Sequence, residues 1–570
     1  MALPPRSNLR TMFTYAALAA LIWAIGARMA GPADIWNQTQ PRTVSYTTDI
    51  IVHGGAHWIL PREQDAWPAT KPPLYNWLAV PFVRVLGFSS EIAHKAPSVL
   101  ALVGCFVMVV TLGNRIDDGR AAADDTGRPA PVGRRWGEAG WLAGLCLASN
   151  YAMFKLGFLA RPDMLLTLLL FIAWWSATMI LAKKGDGSLF HVQKRAGDCP
   201  PPRKKGSRPL FLFWSCVALA GLAKGPPAFL AIIYAAVAAR VFGGSWRTVH
   251  RLRWWWGLPA VVLVVGAWVV AVWRIDPDHL TRELWHNEIY GRITGQAATT
   301  DYVGPADWLI GLPSPIGHFV SRFFPWSIAA TLMLIWLARR RRPEGPRNVH
   351  SIPAVAHPWI IGATVYLLVV IGFFALSAGK RADYIAPALP PASLLAAWWL
   401  LRCPPRIAAR QPHLIVLTAA VTLGALTWAN QVQLDSNAPT TDFSANISRF
   451  ITAASHELAA RPAPVGFQWT MRSHLKAYLG FSEPDSPEKI AALIERGRPF
   501  WVIAGLRYKV DEDFRQWCAV RHPLVTVTAI VRSDPMPEND QPRWWMFNRE
   551  WPGRVTLYRL VPPPRDPANP

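Results

Sequence analysis

DIWNQTQPRTVSYTTDIIVHGGAHWILPREQDAWPATKPPLYNW, residues 34–77, is polar and proline-rich. One apolar segment precedes it and a long series of others follows. Loops carry function more often than cores do. A polar stretch of this length kept between apolar segments therefore reads as part of an active-site roof on the non-cytoplasmic face of a membrane protein. The first apolar segment runs over 12–30, behind Arg6 and Arg10. It fits an uncleaved first span better than a removed signal peptide, because so many spans follow. Further apolar stretches cover 91–113, 137–157, 164–182, 209–223, 226–243, 254–274, 318–338, 358–377, 384–401 and 413–429. At the usual ~20 residues per crossing, that predicts about eleven spans.

The composition agrees. Of 570 residues 52% are hydrophobic, mean hydropathy is +0.17, and the 30 tryptophans suit interfacial belts. The formal net charge of +23 would suit nucleic acid in a soluble chain. Here the cations sit in short blocks between apolar segments, so membrane topology explains them and no nucleic-acid partner is expected. With the N-terminus in the cytoplasm, the inner segments hold about 27 Lys/Arg against about 11 in the outer loops. Arg339–Arg342 and Arg203-Lys204-Lys205 then act as orientation signals. The six cysteines show no paired spacing, which predicts neither a disulfide framework nor a zinc site.

An odd number of spans puts the C-terminal region outside. Residues 431–570 alternate helical patterns with strand-like runs such as PFWVIAGL, LVTVTAIV and VTLYRLV, which predicts a small α/β domain. The division read from the sequence is a transmembrane domain over 1–430, with an active-site loop at 31–90, and an extracytoplasmic domain over 431–570. No internal repeat is evident.

This topology collects the remaining charged residues on the outer face. The first loop supplies Asp34, Gln40, Arg42, Asp49 and Lys71. The turn FLARPDM supplies Arg161 and Asp163, and AKGPP supplies Lys224. The loop 275–317 holds Glu288 and Arg292, and SAGKRADYIAPALP holds Lys380, Arg381, Asp383 and Tyr384. Charges at membrane level are costly and mark substrate sites. Cations converging with carboxylates suit a phosphate-bearing substrate, with Lys and Arg on the oxygens and a carboxylate for proton chemistry. Singly, each residue also fits a plain role: Lys71 and Lys224 as interfacial anchors, Asp163 as a helix-start charge, Glu288 with Arg292 as an i,i+4 pair.

HWILP, ATKPPLYNWL, HKAPSVLA, FLARPDMLL, LAKGP, FFPWS and FALSAGKRADYIAPALPP occur in this order over about 12–402. In these stretches the chain resembles the bacterial branch of the dolichyl-phosphate-mannose protein mannosyltransferase superfamily, the lipid A aminoarabinose transferase-like glycosyltransferases of GT-C fold. The resemblance implies an α-helical polytopic membrane protein of the cytoplasmic membrane with a small soluble α/β domain. It implies transfer of a hexosyl or pentosyl group, with inversion, from a polyprenyl-phosphate donor to an extracytoplasmic lipid, glycan or protein. Membrane lipid is then a further partner. It also implies that Lys71 contacts the donor phosphate, with Arg42, Lys224, Lys380, Arg381 and Tyr384 on the same donor. Gln40, Arg161, Glu288 and Arg292 fall to the acceptor or the loops. No cofactor is expected, although a divalent metal is compatible, and no metal ligands are assigned.

The chain departs from this family at one point. Thr39 and Gln40 stand where the family has Asp-Glu, and Gln cannot act as a base. The catalytic carboxylate is then Asp163, Asp34 or Asp49, unless the acceptor is already ionised or activity is lost. Thr70 stands where the aminoarabinose enzyme has Glu, which would remove a metal contact there. The alternative reading is a non-catalytic binder, or a transporter, of the same lipid-linked sugar.

Overall fold

The computed structural model describes residues 6–31, 40–118, 138–182, 208–290, 309–339, 357–377, 380–401, 411–435, 438–470, 473–505, 514–533 and 555–563. The first described elements are α1 (Arg6–Met29), α2 (Gln40–His53), the hairpin β1 (Arg62–Glu63) and β2 (Trp67–Pro68), α3 (Leu74–Leu86) and α4 (Glu91–Asp118). Then come α5 (Ala139–Ala148), α6 (Tyr151–Leu156), α7 (Asp163–Leu181), α8 (Arg208–Lys224), α9 (Phe229–Gly243) and α10 (Trp254–Ile275). A π-helical stretch, His279–Tyr290, leads to α11 (Ser314–Arg322), α12 (Trp326–Arg339), α13 (His357–Leu376), α14 (Leu389–Leu400) and α15 (Gln411–Asp435). The last part holds α16 (Ala438–Ala460), β3 (Val465–Gln468), α17 (Ser473–Tyr478), α18 (Pro487–Glu495), β4 (Phe500–Ala504), α19 (Phe514–Arg521), β5 (Thr526–Arg532) and β6 (Thr556–Val561).

Among the described residues, seven helices are long and apolar enough to cross a membrane. The other apolar stretches read from the sequence are also helical, but shorter or broken. The 137–157 stretch shows why. Asn150 caps the start of α6 by accepting from Met153 N at 3.1 Å, while its amide donates to the carbonyls of Cys146 and Leu147. That capping residue ends α5 and starts a new helix, so Lys155 lies on a separate turn rather than inside a span.

The chain divides into two compact units. The first contains Met1–Met29, Thr70–Tyr75 and Pro97–Trp428; the second contains Ala30–Ala69, Asn76–Ala96 and Ala429–Pro570. The polar loop is therefore shared, with its KPPLY segment in the helical unit and the remainder grouped with the C-terminal region.

In the first unit, α7 is the interior helix. Within its span 72% of residues are buried, against 6% for α10, so α7 packs on protein while α10 presents an exposed apolar surface. Helix α7 runs along α8, α9 and α13, and Trp174 on α7 packs with Phe171, Trp359 and Tyr366. A charge at the first residue of such a helix is held in protein rather than lipid.

In the second unit, a four-stranded sheet has the order β3-β4-β6-β5. Strands β3 and β4 are parallel, joined through α17 and α18, and β6 is antiparallel to both β4 and β5. Ser486 caps α18 by accepting from Lys489 N at 3.0 Å. Ile490 and Leu493 from α18 join Phe500, Val502, Trp517 and Tyr558 in one apolar core. The runs PFWVIAGL, LVTVTAIV and VTLYRLV form β4, β5 and β6; β3, in VGFQ, is a fourth strand.

Helix α2 occupies the middle of the polar loop. One face is buried by Val44, Thr47, Thr48 and Ile50, and α2 lies against α17. Gly54 and Gly55, with φ of 63° and 50°, turn the chain back on itself at the end of α2, a conformation that favours glycine.

Candidate active site and a second polar cluster

In the first unit, Pro162 precedes α7 and Asp163 is its first residue, where a carboxylate meets the positive end of the helix dipole. Asp163 Oδ1 accepts from Lys224 Nζ at 2.5 Å, and Oδ2 lies 3.2 Å from Arg161 Nε. Both residues are buried. Arg161 reaches on with Nη1 to Asp383 Oδ2 at 3.1 Å, and Lys155 Nζ lies 3.3 Å from Asp383 Oδ1. Lys224 is the last residue of α8. Gly225, at φ 74°, then turns the chain, and the Lys224 ammonium sits 4.7 Å from the centroid of the Tyr384 ring. The charge of Lys71 also acts on Asp163.

The motifs lock this arrangement. Tyr75, from KPPLY, has its hydroxyl 3.1 Å from Ser98 Oγ and donates to the Leu159 carbonyl at 3.2 Å. Ser98, from HKAPSVL, lies within hydrogen-bond reach of the carbonyls of Leu159 and Arg161, at 2.6 and 3.1 Å. Two segments distant from it in sequence thus fix the Arg161–Asp163 turn through buried hydrogen bonds, which hold position because their groups have no water to turn to. From FFPWS, Trp326 Nε1 donates to Ser149 where α5 ends.

Burial works to raise the Asp383 carboxyl, but Lys155 and Arg161 outweigh it and hold the group below the ordinary carboxylate range. Lys380 is buried and Arg381 is exposed. Lys155 was not among the residues singled out in the sequence, although Asp383 was. Asp383 was legible inside KRADYI, whereas Lys155 was hidden in an apolar run.

Of the remaining site residues read from the sequence, Arg42, Gln40 and Asp49 belong to the second unit, and the others, or their side chains, fall outside the described residues. Arg42 is an exposed residue of α2 whose Nε is 3.2 Å from Glu63 Oε2. Gln40 is buried at the start of α2. Asp34 and Arg292 lie outside the described residues, as does the side chain of Glu288.

Asp49, in the second unit, is fully buried, and each of its oxygens accepts two hydrogen bonds. His53 Nδ1 and Ser482 Oγ donate to Oδ1 at 2.9 and 2.8 Å; His57 Nδ1 and Arg62 N donate to Oδ2, both at 2.7 Å. Asp65, on the β1–β2 turn, joins the two imidazoles and Asp49 with one ligand atom from each within 4.8 Å of the others. The sequence signal is the D-x3-H-x3-H spacing, which sets residues four apart on one helix face and its continuation.

The comparisons with known proteins bear on the fold. No family model matches the chain. Over 169 residues, 29% of the chain, it is 28% identical to undecaprenyl phosphate-alpha-4-amino-4-deoxy-L-arabinose arabinosyl transferase 1 of Pseudomonas fluorescens. Over 145 residues it is 27% identical to transferase 2 of the same organism. The matches span about a quarter of the length of these curated relatives. The crystal structure of ArnT from Cupriavidus metallidurans bound to undecaprenyl phosphate superposes with a TM-score of 0.61 at 16% identity, covering 96% of this chain and 97% of that one. The chain has the ArnT fold. The apo form of the same ArnT gives 0.58 at 15% identity, over 97% and 98%. The family resemblance read from KPPLY, RPDM and KRADYI thus holds at the level of fold, and with it the multi-pass helical architecture and the small α/β region.

Proposed function

We propose that this chain is an integral-membrane glycosyltransferase. It moves a hexosyl or pentosyl group from a polyprenyl-phosphate donor to an extracytoplasmic acceptor. The observation that carries the reading is the cation cluster: among the described residues, Lys155, Arg161 and Lys224 gather on Asp163 and Asp383, and the charge of Lys71 acts on Asp163. Cations gathered in this way suit a phosphate that gains negative charge as it leaves. Lys71 and Lys224 hold the donor phosphate oxygens, and Lys380 and Tyr384 extend the same surface. The acceptor oxygen attacks the anomeric carbon from the face opposite the phosphate. The bond from that carbon to the phosphate oxygen breaks, the electron pair stays on the phosphate, and the cations stabilise it.

Asp163 is engaged by two cations, and Asp49 carries two hydrogen bonds on each oxygen. Neither is built as a strong base. An acceptor that brings its own negative oxygen, a phosphate on an envelope lipid or glycan, needs no base and fits Thr39-Gln40 in place of an acidic pair. The basic blocks on one side of the spans support an orientation with the acceptor side outside the cytoplasmic membrane.

The test uses purified protein in lipid, a radiolabelled polyprenyl-phosphate sugar and extracted envelope acceptors, with half of the acceptors treated with phosphatase. Label should move to untreated acceptors alone. Transfer to both halves would remove the ionised-acceptor reading. Donor binding without any transfer would favour the binder or transporter reading that Thr39-Gln40 raises.

A further inference from the structure

We propose that Asp49, His53, His57 and Asp65 form a binding site for one divalent transition-metal ion of the zinc class. Two imidazoles and two carboxylates are a donor set that zinc takes in tetrahedral sites. One ligand atom from each of the four lies within 4.8 Å of the others. Zinc bonds of about 2.0–2.2 Å require ligand atoms roughly 3.5 Å apart, so closing on an ion takes small side-chain movements.

The charge argument points the same way. Asp49 is completely buried, and no lysine or arginine side chain pairs with it among the described residues. Its ion-pair partners are His53 and His57, which are neutral ligands once an ion replaces the protons they share with Asp49. A buried carboxylate left with neutral partners is costly, and a second carboxylate beside it adds to that cost. A divalent ion removes both charges at once. The supporting contacts are already in place: Arg62 N and Ser482 Oγ fix the Asp49 carboxylate, as groups around a metal site fix its ligands. Asp65 is carried on a turn whose Gln64 and Asp65 both adopt left-handed backbone, at φ 54° and 53°. That turn is held from the C-terminal region by Lys476, whose ammonium donates to Gln64 Oε1 at 3.1 Å.

The ion would join four pieces of the second unit: α2, the turn after it, the β1–β2 hairpin and, through Ser482, the C-terminal sheet domain. The role that follows is a structural clip which holds the first polar loop on that domain.

The experiment strips tag-free, full-length protein with a chelator and titrates it with Zn2+, then measures metal content after desalting. Wild type should retain one equivalent. His53→Ala/His57→Ala should bind at least tenfold more weakly, and His286→Ala, which alters a histidine of the π-helical stretch, should bind as wild type. Limited proteolysis at the 62–68 hairpin should slow on adding Zn2+ to wild type only. If the double variant fails to fold, His53→Gln and the visible spectrum of the Co2+-loaded wild type give the same reading. Wild type that retains no zinc, or a double variant with unchanged stoichiometry and affinity, overturns the site.

Discussion

Two buried carboxylates, Asp163 and Asp49, show opposite ways of keeping a negative charge inside a protein. Asp163 is neutralised by fixed cations, Lys224 and Arg161, which themselves reach Tyr384 and Asp383. Asp49 is satisfied by two imidazoles, a backbone amide and a serine hydroxyl. The first arrangement gathers cations and is suited to an anion. The second carries surplus negative charge once its imidazoles are neutral, and is suited to a cation. One chain thus holds two polar clusters of opposite preference, one in each unit.

Removing each carboxylate separates them most sharply. Asp163→Ala takes the carboxylate from Lys224 and leaves Arg161 with Asp383 alone, and breaking a buried pair costs about 3–5 kcal/mol. Thermal denaturation should show that loss together with loss of sugar transfer. Asp49→Ala strands four donors and should destabilise comparably, by roughly 3–5 kcal/mol, yet leave binding of the lipid phosphate within about twofold in the protein that remains folded. Equal loss of lipid binding in both would merge what is here separated.

Lys476→Met gives a smaller effect confined to the second unit. Lys476 is buried, with its ammonium 2.7 Å from Asp485 Oδ1 and donating to the Glu483 carbonyl. Burial pulls its pKa below the ordinary lysine value against the pull of Asp485. The net cost of the substitution should be about 2–3 kcal/mol because part of the desolvation penalty is relieved. Proteolysis of the β1–β2 hairpin should speed up, while transfer chemistry is retained.

The Asp383 network predicts the pH profile. Its folded-state pKa is lowered, so its contribution to stability is present above the unfolded value of about 3.9 and is lost as pH falls through the folded value. Melting temperature attributable to this group should stay level between pH 8 and pH 5 and drop only in stronger acid. Asp383→Asn should flatten that acid limb. Smallest of all, Arg42→Ala should change stability by less than about 1 kcal/mol, because the Arg42–Glu63 pair is exposed on the arginine side.

The sequence made the helical fold legible because apolar runs and basic blocks follow from the solvent. The cation cluster was legible because charges beside apolar runs are few. Lys155 was missed for the matching reason: it lies inside an apolar run, and its exposure to Asp383 depends on the Asn150 cap that breaks the helix there. The polar loop read as a roof is in large part the helix α2. Its weak 3.6-residue pattern is carried by threonines and serine, which alternate between turn and helix roles. The histidine cluster was legible only in part: Asp49, His53 and His57 share the D-x3-H-x3-H spacing, but Asp65 reaches them only through the glycine turn and the hairpin, whose fold the spacing does not reveal.

The central claim is that the Lys71–Lys224–Asp163 cluster receives a lipid-linked phosphate. The most direct measurement is the affinity of purified protein in nanodiscs for undecaprenyl phosphate, for wild type and Lys71→Ala. Losing one charge-assisted contact of about 1.5–3 kcal/mol should weaken binding roughly ten- to hundredfold, with the melting temperature little changed. Unchanged affinity in a folded Lys71→Ala protein would contradict the account.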